Sequence, residues 1–204
     1  MTQNQQETPT VFIVDDDPAI RFAMQALMDS VNIEHEIYSS GDEFLESVDD
    51  HRAGCLVLDI RMPGLGGLEL QEELIKRDST LPIIFITGHG DVPMAVDAMQ
   101  KGAVDFIQKP FRDQDLLDRI REALKTDAER REEQQKHAEV AERLDRLTNR
   151  EREVFDLVVT GKPNKVIAYE LGVSQRTVEI HRARVMEKMQ ARSLADLVKM
   201  HMTA

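Results

Sequence analysis

The first 124 residues alternate between two hydrophobic rhythms. Short apolar runs rich in β-branched residues read as buried strands: TVFIV (10–14), HEIYS (35–39), CLVLD (55–59), LPIIFIT (81–87) and VDFIQ (104–108). Between them lie segments with helical spacing. Pro18 suits a first helical turn ahead of the apolar positions from Ile20 to Met28. Ser40 and Glu43 have capping-box spacing before Phe44, Leu45 and Val48. LELQEELIKR is amphipathic, VPMAVDAMQKG closes at Gly102, and a last helix starts at Asp113. Five strands alternating with helices predict βαβ units and a parallel sheet covered on both faces.

In such sheets, ligands bind beyond the carboxyl ends of the strands. Asp15, Asp16 and Asp17 follow the first strand, Asp59 ends the third, Thr87 ends the fourth, and Lys109 lies just past the fifth. A run of three aspartates by itself fits helix capping and dipole complementarity equally well. That reading leaves the shared rim of Asp59, Thr87 and Lys109 without a reason. Crowded carboxylates repel, and a hard divalent cation such as Mg²⁺ removes the repulsion while taking oxygen ligands. Asp16 and Asp59 are candidate direct ligands, Asp15 a ligand directly or through water, and a backbone carbonyl after Asp59 another. A carboxylate in this setting can attack phosphorus and form an aspartyl phosphate. Lys109 would neutralise charge on the phosphoryl oxygens, and Thr87 would donate a hydroxyl to them.

Beyond Lys125 the pattern changes. Residues 125–147 are charged and free of Gly and Pro. Leu117, Ile120, Leu124, Ala128, Ala138, Ala141, Leu144 and Leu147 trace a thin apolar seam. A solvated helical linker and a dimeric coiled coil both fit, the second weakened by polar positions between Arg131 and His137. From Thr148 a new set of helices begins. Thr148 and Glu151 form a capping box, Gly161 ends that helix, NKVIAYELG ends at Gly172, and Ser174 caps a longer helix. Ser193 caps a last short one. Two helices across a short Gly-containing turn predict a helix-turn-helix. Val178, His181, Val185 and Met189 share the inner stripe of the longer helix.

Charge sharpens this division. The net charge is −12, yet the part from Thr148 onward holds ten Lys/Arg against seven Asp/Glu, or +3, leaving −15 for the rest. A basic module on an acidic chain points to nucleic acid. A helix in the major groove reads bases with its N-terminal residues. Arg176 is then a base or phosphate contact, Glu179 an acceptor for a cytosine amine, and Ile180 a contact to a thymine methyl. Lys165, Arg182 and Arg184 suit phosphates, and Ser174, Thr177 and Ala183 complete the DNA-facing set. No window reaches the roughly 18 apolar residues of a membrane span. The polar start lacks the parts of a secretory signal, and Cys55 is the only cysteine, so a reducing cytoplasm is expected.

VDDD, LVLDIRMPGLGG, FITGHGD and GAVDFIQKPF, in this order on the strand ends, resemble the receiver domain of two-component response regulators over about residues 10–124. LTNREREV and GKPNKVIAYELGVSQRTVEIHRARVMEKM resemble the LuxR-type helix-turn-helix over about residues 147–200. Together they are similar to the NarL/FixJ family. The resemblance implies a flavodoxin-like receiver (1–124) with an α/β doubly wound five-stranded parallel sheet. It further implies a charged helical linker (125–146) and a small all-α DNA-binding domain (147–204). It implies that Asp59 accepts phosphate from a sensor histidine kinase and that Asp15 and Asp16 form the acidic pocket. Arg61 gives its backbone carbonyl to Mg²⁺, Phe106 is an aromatic switch, and Lys109–Pro110 is cis. Phosphorylation would favour a homodimer on a two-fold related site in double-stranded DNA, with RNA polymerase a further candidate partner. Some relatives carry Lys where this chain has Glu179 and Ala183, so their base contacts do not transfer. On this reading the chain is no enzyme beyond its own phosphoryl transfer and dephosphorylation. A haloacid-dehalogenase-type phosphatase would instead place its nucleophile after the first strand. A regulator of the same architecture governed by a ligand or partner is the other alternative.

Overall fold

The computed structural model describes residues 8–49, 52–88 and 92–203. The motif residues 89–91 and the first seven residues lie outside them. Two compact units divide the chain, the first ending at Arg130 and the second starting at Arg131.

In the first unit five strands form one parallel sheet in the order β2-β1-β3-β4-β5. They are β1 Thr10–Val14, β2 His35–Tyr38, β3 Gly54–Asp59, β4 Ile83–Thr87 and β5 Asp105–Gln108. The helices between them are α1 Pro18–Ser30, α2 Gly41–Ser47, α3 Gly67–Lys76 and α4 Val92–Gln100, and α5 Asp113–Asp145 follows β5. Strands β1, β3 and β4 are buried along their whole length, as expected of central strands covered on both faces. Side-chain alternation divides them between two cores. Phe12, Leu56, Leu58 and Phe85 pack with Phe44, Leu70 and Leu74 on one face. Val11, Ile13, Val57, Ile84 and Ile86 pack with Met24, Met28, Leu116 and Ile120 on the other. Cys55 lies in the second core, where burial pushes its thiol up to about 12 and leaves it inert.

Local signals explain most helix starts. Asp17 caps α1 by accepting from the Ala19 amide at 2.8 Å, and Pro18 occupies the first turn. Ser40 caps α2 through the Glu43 amide, but Glu43 reaches back to Ser39, not to Ser40 as a strict capping box requires.

The apolar seam expected along residues 117–147 does not run straight. Ala128, Ala138 and Ala141 are exposed, whereas Asp127, Val140 and Leu144 are buried. A small methyl gains little by burial, so hydrogen bonding and bulk decide the facing instead. Asp127 accepts the Gly54 amide at 3.0 Å, and the Arg130 guanidinium donates to the Thr80 carbonyl. Val140 and Leu144 join the core of the second unit.

In that unit α6 Asn149–Val159, α7 Asn164–Leu171, α8 Gln175–Lys188 and α9 Leu194–Thr203 enclose Val154, Phe155, Val158, Ile167, Val178, Val185, Met189 and Leu197. The Thr148/Glu151 capping box is complete. Gly172 ends α7 in the left-handed conformation (φ 65°), which an L side chain resists. Among the described residues no helix is long and apolar enough to cross a membrane.

Candidate functional site

Strand register builds the rim. Val14 pairs with Leu58, so the residues that follow, Asp15 and Asp59, stand at the same level on neighbouring strands. Asp59 pairs with Ile86, which puts Thr87 one residue further out on the other side. Thr87 pairs with Gln108, and Lys109 comes next. The order of the sheet places β1 beside β3, with β2 on its other side, so this is also the point where the chain reverses direction across the sheet.

The Lys109 ammonium sits between the two carboxylates, 2.7 Å from Asp59 Oδ1 and 3.0 Å from Asp15 Oδ2. Asp59 Oδ2 accepts the Arg61 amide at 3.1 Å, and Asp15 Oδ1 accepts the Asp17 amide at 2.8 Å. Burial pushes the Asp59 carboxyl above the ordinary carboxylate range, outweighing the hydrogen bond and charge of Lys109. At Lys109 burial acts against the charge, but Asp59 and Asp15 overcome it and hold the ammonium above the usual lysine value. The aspartate run therefore divides its work: Asp15 is buried, Asp16 is exposed, and Asp17 caps α1. Thr87 is buried, Phe106 is exposed, and the Lys109–Pro110 peptide is cis. Among the described residues no three His, Cys, Asp or Glu side chains are gathered as a metal-ligand set.

In the second unit, Arg176, Glu179, Ile180, Ala183 and Arg184 are exposed along α8, and Lys165 is exposed on α7. Val178, Val185 and Met189 face inward, with His181 half-buried on the same stripe. Ser174 and Thr177 serve the helix start: Ser174 Oγ accepts the Thr177 amide at 3.1 Å and meets Thr177 Oγ1 at 2.8 Å. Arg182 is half-buried and donates to Asn164 Oδ1 at 3.0 Å, so it braces α8 against α7.

The comparisons with known proteins fall on these two regions. Residues 11–121 match the family model described as response regulator receiver domain, and residues 145–201 match that of bacterial regulatory proteins, luxR family. The chain belongs to the response regulators. Its relatives include nodulation protein W of Bradyrhizobium diazoefficiens, 49% identical over 95% of this chain and 85% of that protein. Transcriptional regulatory protein FixJ of Azorhizobium caulinodans is 43% identical over 97% of this chain and 94% of that one. Among solved structures, the response regulator StyR matches with a TM-score of 0.89 at 44% identity, covering 97% of this chain and all of that one. Full-length FixJ from B. japonicum matches at 0.61 and 40%, covering 96% of each. The response regulator thus joins a five-stranded receiver to a LuxR-type DNA-binding domain.

Sequence reasoning missed three supports of these sites. Arg21, one turn into α1, donates to the Asp15 carbonyl at 2.6 Å. Gly67 starts α3 against the Asp59 backbone, where an added Cβ would fall 2.4 Å from the Asp59 carbonyl oxygen. The glycines of GLGG were the available signal. Lys188 closes on Glu151 at 2.6 Å, tying the end of α8 to the start of α6. Nothing in the spacing of 37 residues announces that pair.

Proposed function

We propose that the response regulator takes a phosphoryl group onto Asp59 from a sensor histidine kinase, and that this controls its binding to double-stranded DNA. The observation that carries the reading is a nearly buried carboxylate at a strand end with the Lys109 ammonium 2.7 Å away. A carboxylate oxygen of Asp59 attacks the phosphorus of a phosphohistidine. The O–P bond forms as the P–N bond breaks, and the released nitrogen keeps the electron pair and takes up a proton. Attack needs the ionised carboxylate, which burial disfavours and Lys109 supports. Lys109 then neutralises charge on the transferred oxygens, and Thr87 donates its hydroxyl to them.

The donor chemistry fits Mg²⁺, since carboxylate and carbonyl oxygens are offered without sulfur or imidazole. Asp15, Asp16, Asp59 and the Arg61 carbonyl would hold the ion. It would supply further charge neutralisation at the phosphoryl oxygens. With Thr87 engaged, Phe106 turns inward, and phosphorylation shifts an existing equilibrium toward a homodimer. Two DNA-binding domains then read a two-fold related site. Arg176, Glu179, Ile180 and Ala183 meet base edges, and Lys165, Ser174, Thr177, Arg182 and Arg184 serve the phosphates. RNA polymerase is the further partner of a regulator of transcription in the cytoplasm. The domain limits 1–124, 125–146 and 147–204 belong to this reading.

The test treats the full chain with acetyl phosphate and Mg²⁺, reduces it with borohydride and maps the modified residue by mass spectrometry. Modification at Asp59, with DNA affinity rising in the natural protein and not in Asp59→Asn, supports the reading. Modification at Asp15 or Asp17, or an unchanged DNA response in Asp59→Asn, overturns it.

A further inference from the structure

The three aspartates between β1 and α1 are held very differently. Asp15 is tied at each of its polar groups. Its amide donates to the Tyr38 carbonyl at 3.3 Å. Its carboxylate takes Lys109 on one oxygen and the Asp17 amide on the other. Its carbonyl stands just past the end of the β1 ladder, and Arg21 Nη1 reaches back from α1 to donate to it at 2.6 Å. Asp16 is the opposite case. Its side chain is exposed and takes no hydrogen bond or ion pair from the other described residues. Its position is therefore set through its own backbone. A peptide unit is planar, so the direction of the Asp15 carbonyl fixes the Asp16 amide and Cα in the same plane. Arg21 is the side chain that sets where Asp16 begins.

We propose that Arg21 is a positioning residue for the cation site: it holds the Asp15–Asp16 peptide so that the Asp16 carboxylate is presented to Mg²⁺ in one orientation. The inference rests on the proposed Mg²⁺ site and adds a residue outside its ligand set. Three observations carry it. The bond is charge-assisted, short and partly buried, which makes it a strong tether for a backbone carbonyl. It closes back over six residues from the first turn of α1, a helix that the Asp17 cap and Pro18 already fix at its start. The seat of the helix and the aim of Asp16 are thus set together. Finally, part of the Arg21 charge is answered outside the aspartate pocket. The Glu43 carboxyl is held below the ordinary range first by the Ser39 amide and hydroxyl, and further by Arg21. The hydrogen bond is then the main way in which Arg21 acts on the pocket. The distinction has opposite consequences, because a bare positive charge beside the pocket repels a cation, whereas an orienting bond favours it.

The test titrates Mg²⁺ into the full chain without a phosphodonor and follows the amide signals of Asp17 and Arg61 by NMR. Arg21→Met keeps the stem and removes the donors. It should raise the dissociation constant for Mg²⁺ about tenfold, the lower end of what groups orienting a metal ligand contribute. Arg21→Ala serves the same comparison should the Met variant fail to fold. Arg21→Lys keeps a donor and should recover most of the loss. In an Asp16→Asn background, Arg21→Met should change Mg²⁺ affinity little further, because it acts through Asp16. Urea unfolding of each variant is measured alongside, since a merely structural bond lowers stability and leaves Mg²⁺ affinity alone. Unchanged or tighter Mg²⁺ binding in Arg21→Met, or an undiminished loss in the Asp16→Asn background, would overturn the role of Arg21 alone. A natural protein that binds no Mg²⁺ would overturn it together with the proposed cation site.

Discussion

Glu151 gives the sharpest quantitative test of how the DNA-binding domain is held together. It is 2% exposed, and one of its carboxylate oxygens takes both the Lys188 ammonium at 2.6 Å and the Thr148 amide at 2.9 Å. The Lys188 hydrogen bond, then the Thr148 amide, lower its pKa from 4.5 to about 2. A depressed carboxylate stabilises the fold above its unfolded value, and the stability is lost as pH falls through its folded value. The window is therefore between 4.5 and about 2. A shift of this size corresponds to a ceiling of about 3 kcal/mol. Lys188 is one-third exposed, so solvent screening brings the expectation to about 2 kcal/mol. The perturbation is Glu151→Gln, which keeps an oxygen for the Thr148 amide and removes only the charge. The assay is urea unfolding of the full chain from pH 7 to pH 2.5, read on the methyl signals of Val154, Val178 and Val185. The natural protein should exceed the variant by about 2 kcal/mol at pH 7, and the difference should shrink toward zero as pH falls below 4.5. A difference that is absent at pH 7, or constant over the whole range, would refute the reasoning.

Other consequences follow from the same contacts. Gly67→Ala puts a methyl 2.4 Å from the Asp59 carbonyl oxygen, so it should cost about 2 kcal/mol or more in thermal unfolding and slow phosphoryl uptake; a neutral variant would refute the close approach. Asp127→Ala leaves the buried Gly54 amide without its acceptor and should cost on the order of 1–3 kcal/mol, with faster hydrogen exchange at Gly54 as the local sign. Lys165→Ala should weaken DNA binding evenly across sequences and lower the log–log salt slope by about one, whereas Arg176→Ala should also blur sequence preference; binding isotherms at several salt concentrations separate the two.

Much of this was legible in the chain because it depends on local or periodic signals. The five strands start and end within a residue or two of their apolar runs, since a central parallel strand must be apolar along its length. Caps at Ser40, Thr148 and Ser174 were legible because a cap is a contact within three residues. The linker seam misled because alanines at helical spacing carry too little area to decide which face is buried. There a carboxylate with a distant amide partner, Asp127 with Gly54, won the inner position. Glu43 strayed from its box for a similar reason, the Ser39 hydroxyl at 2.7 Å adding a second bond to the amide.

The sequence by itself determined that the first part folds as an α/β sheet and which polar residues end its strands, because both follow from period and order. It also determined that a basic helical module follows. Which residues actually meet was decided only by the tertiary structure. Register put Asp15 level with Asp59 and brought Lys109 between them, fifty residues from one and ninety-four from the other. The same folding turned Asp17 away to cap a helix, drew Arg182 onto Asn164, and buried polar atoms of Gln71 and Arg130 without a protein partner. Pairings across such distances carry no periodic signature, since their energy is gained only when separate elements pack.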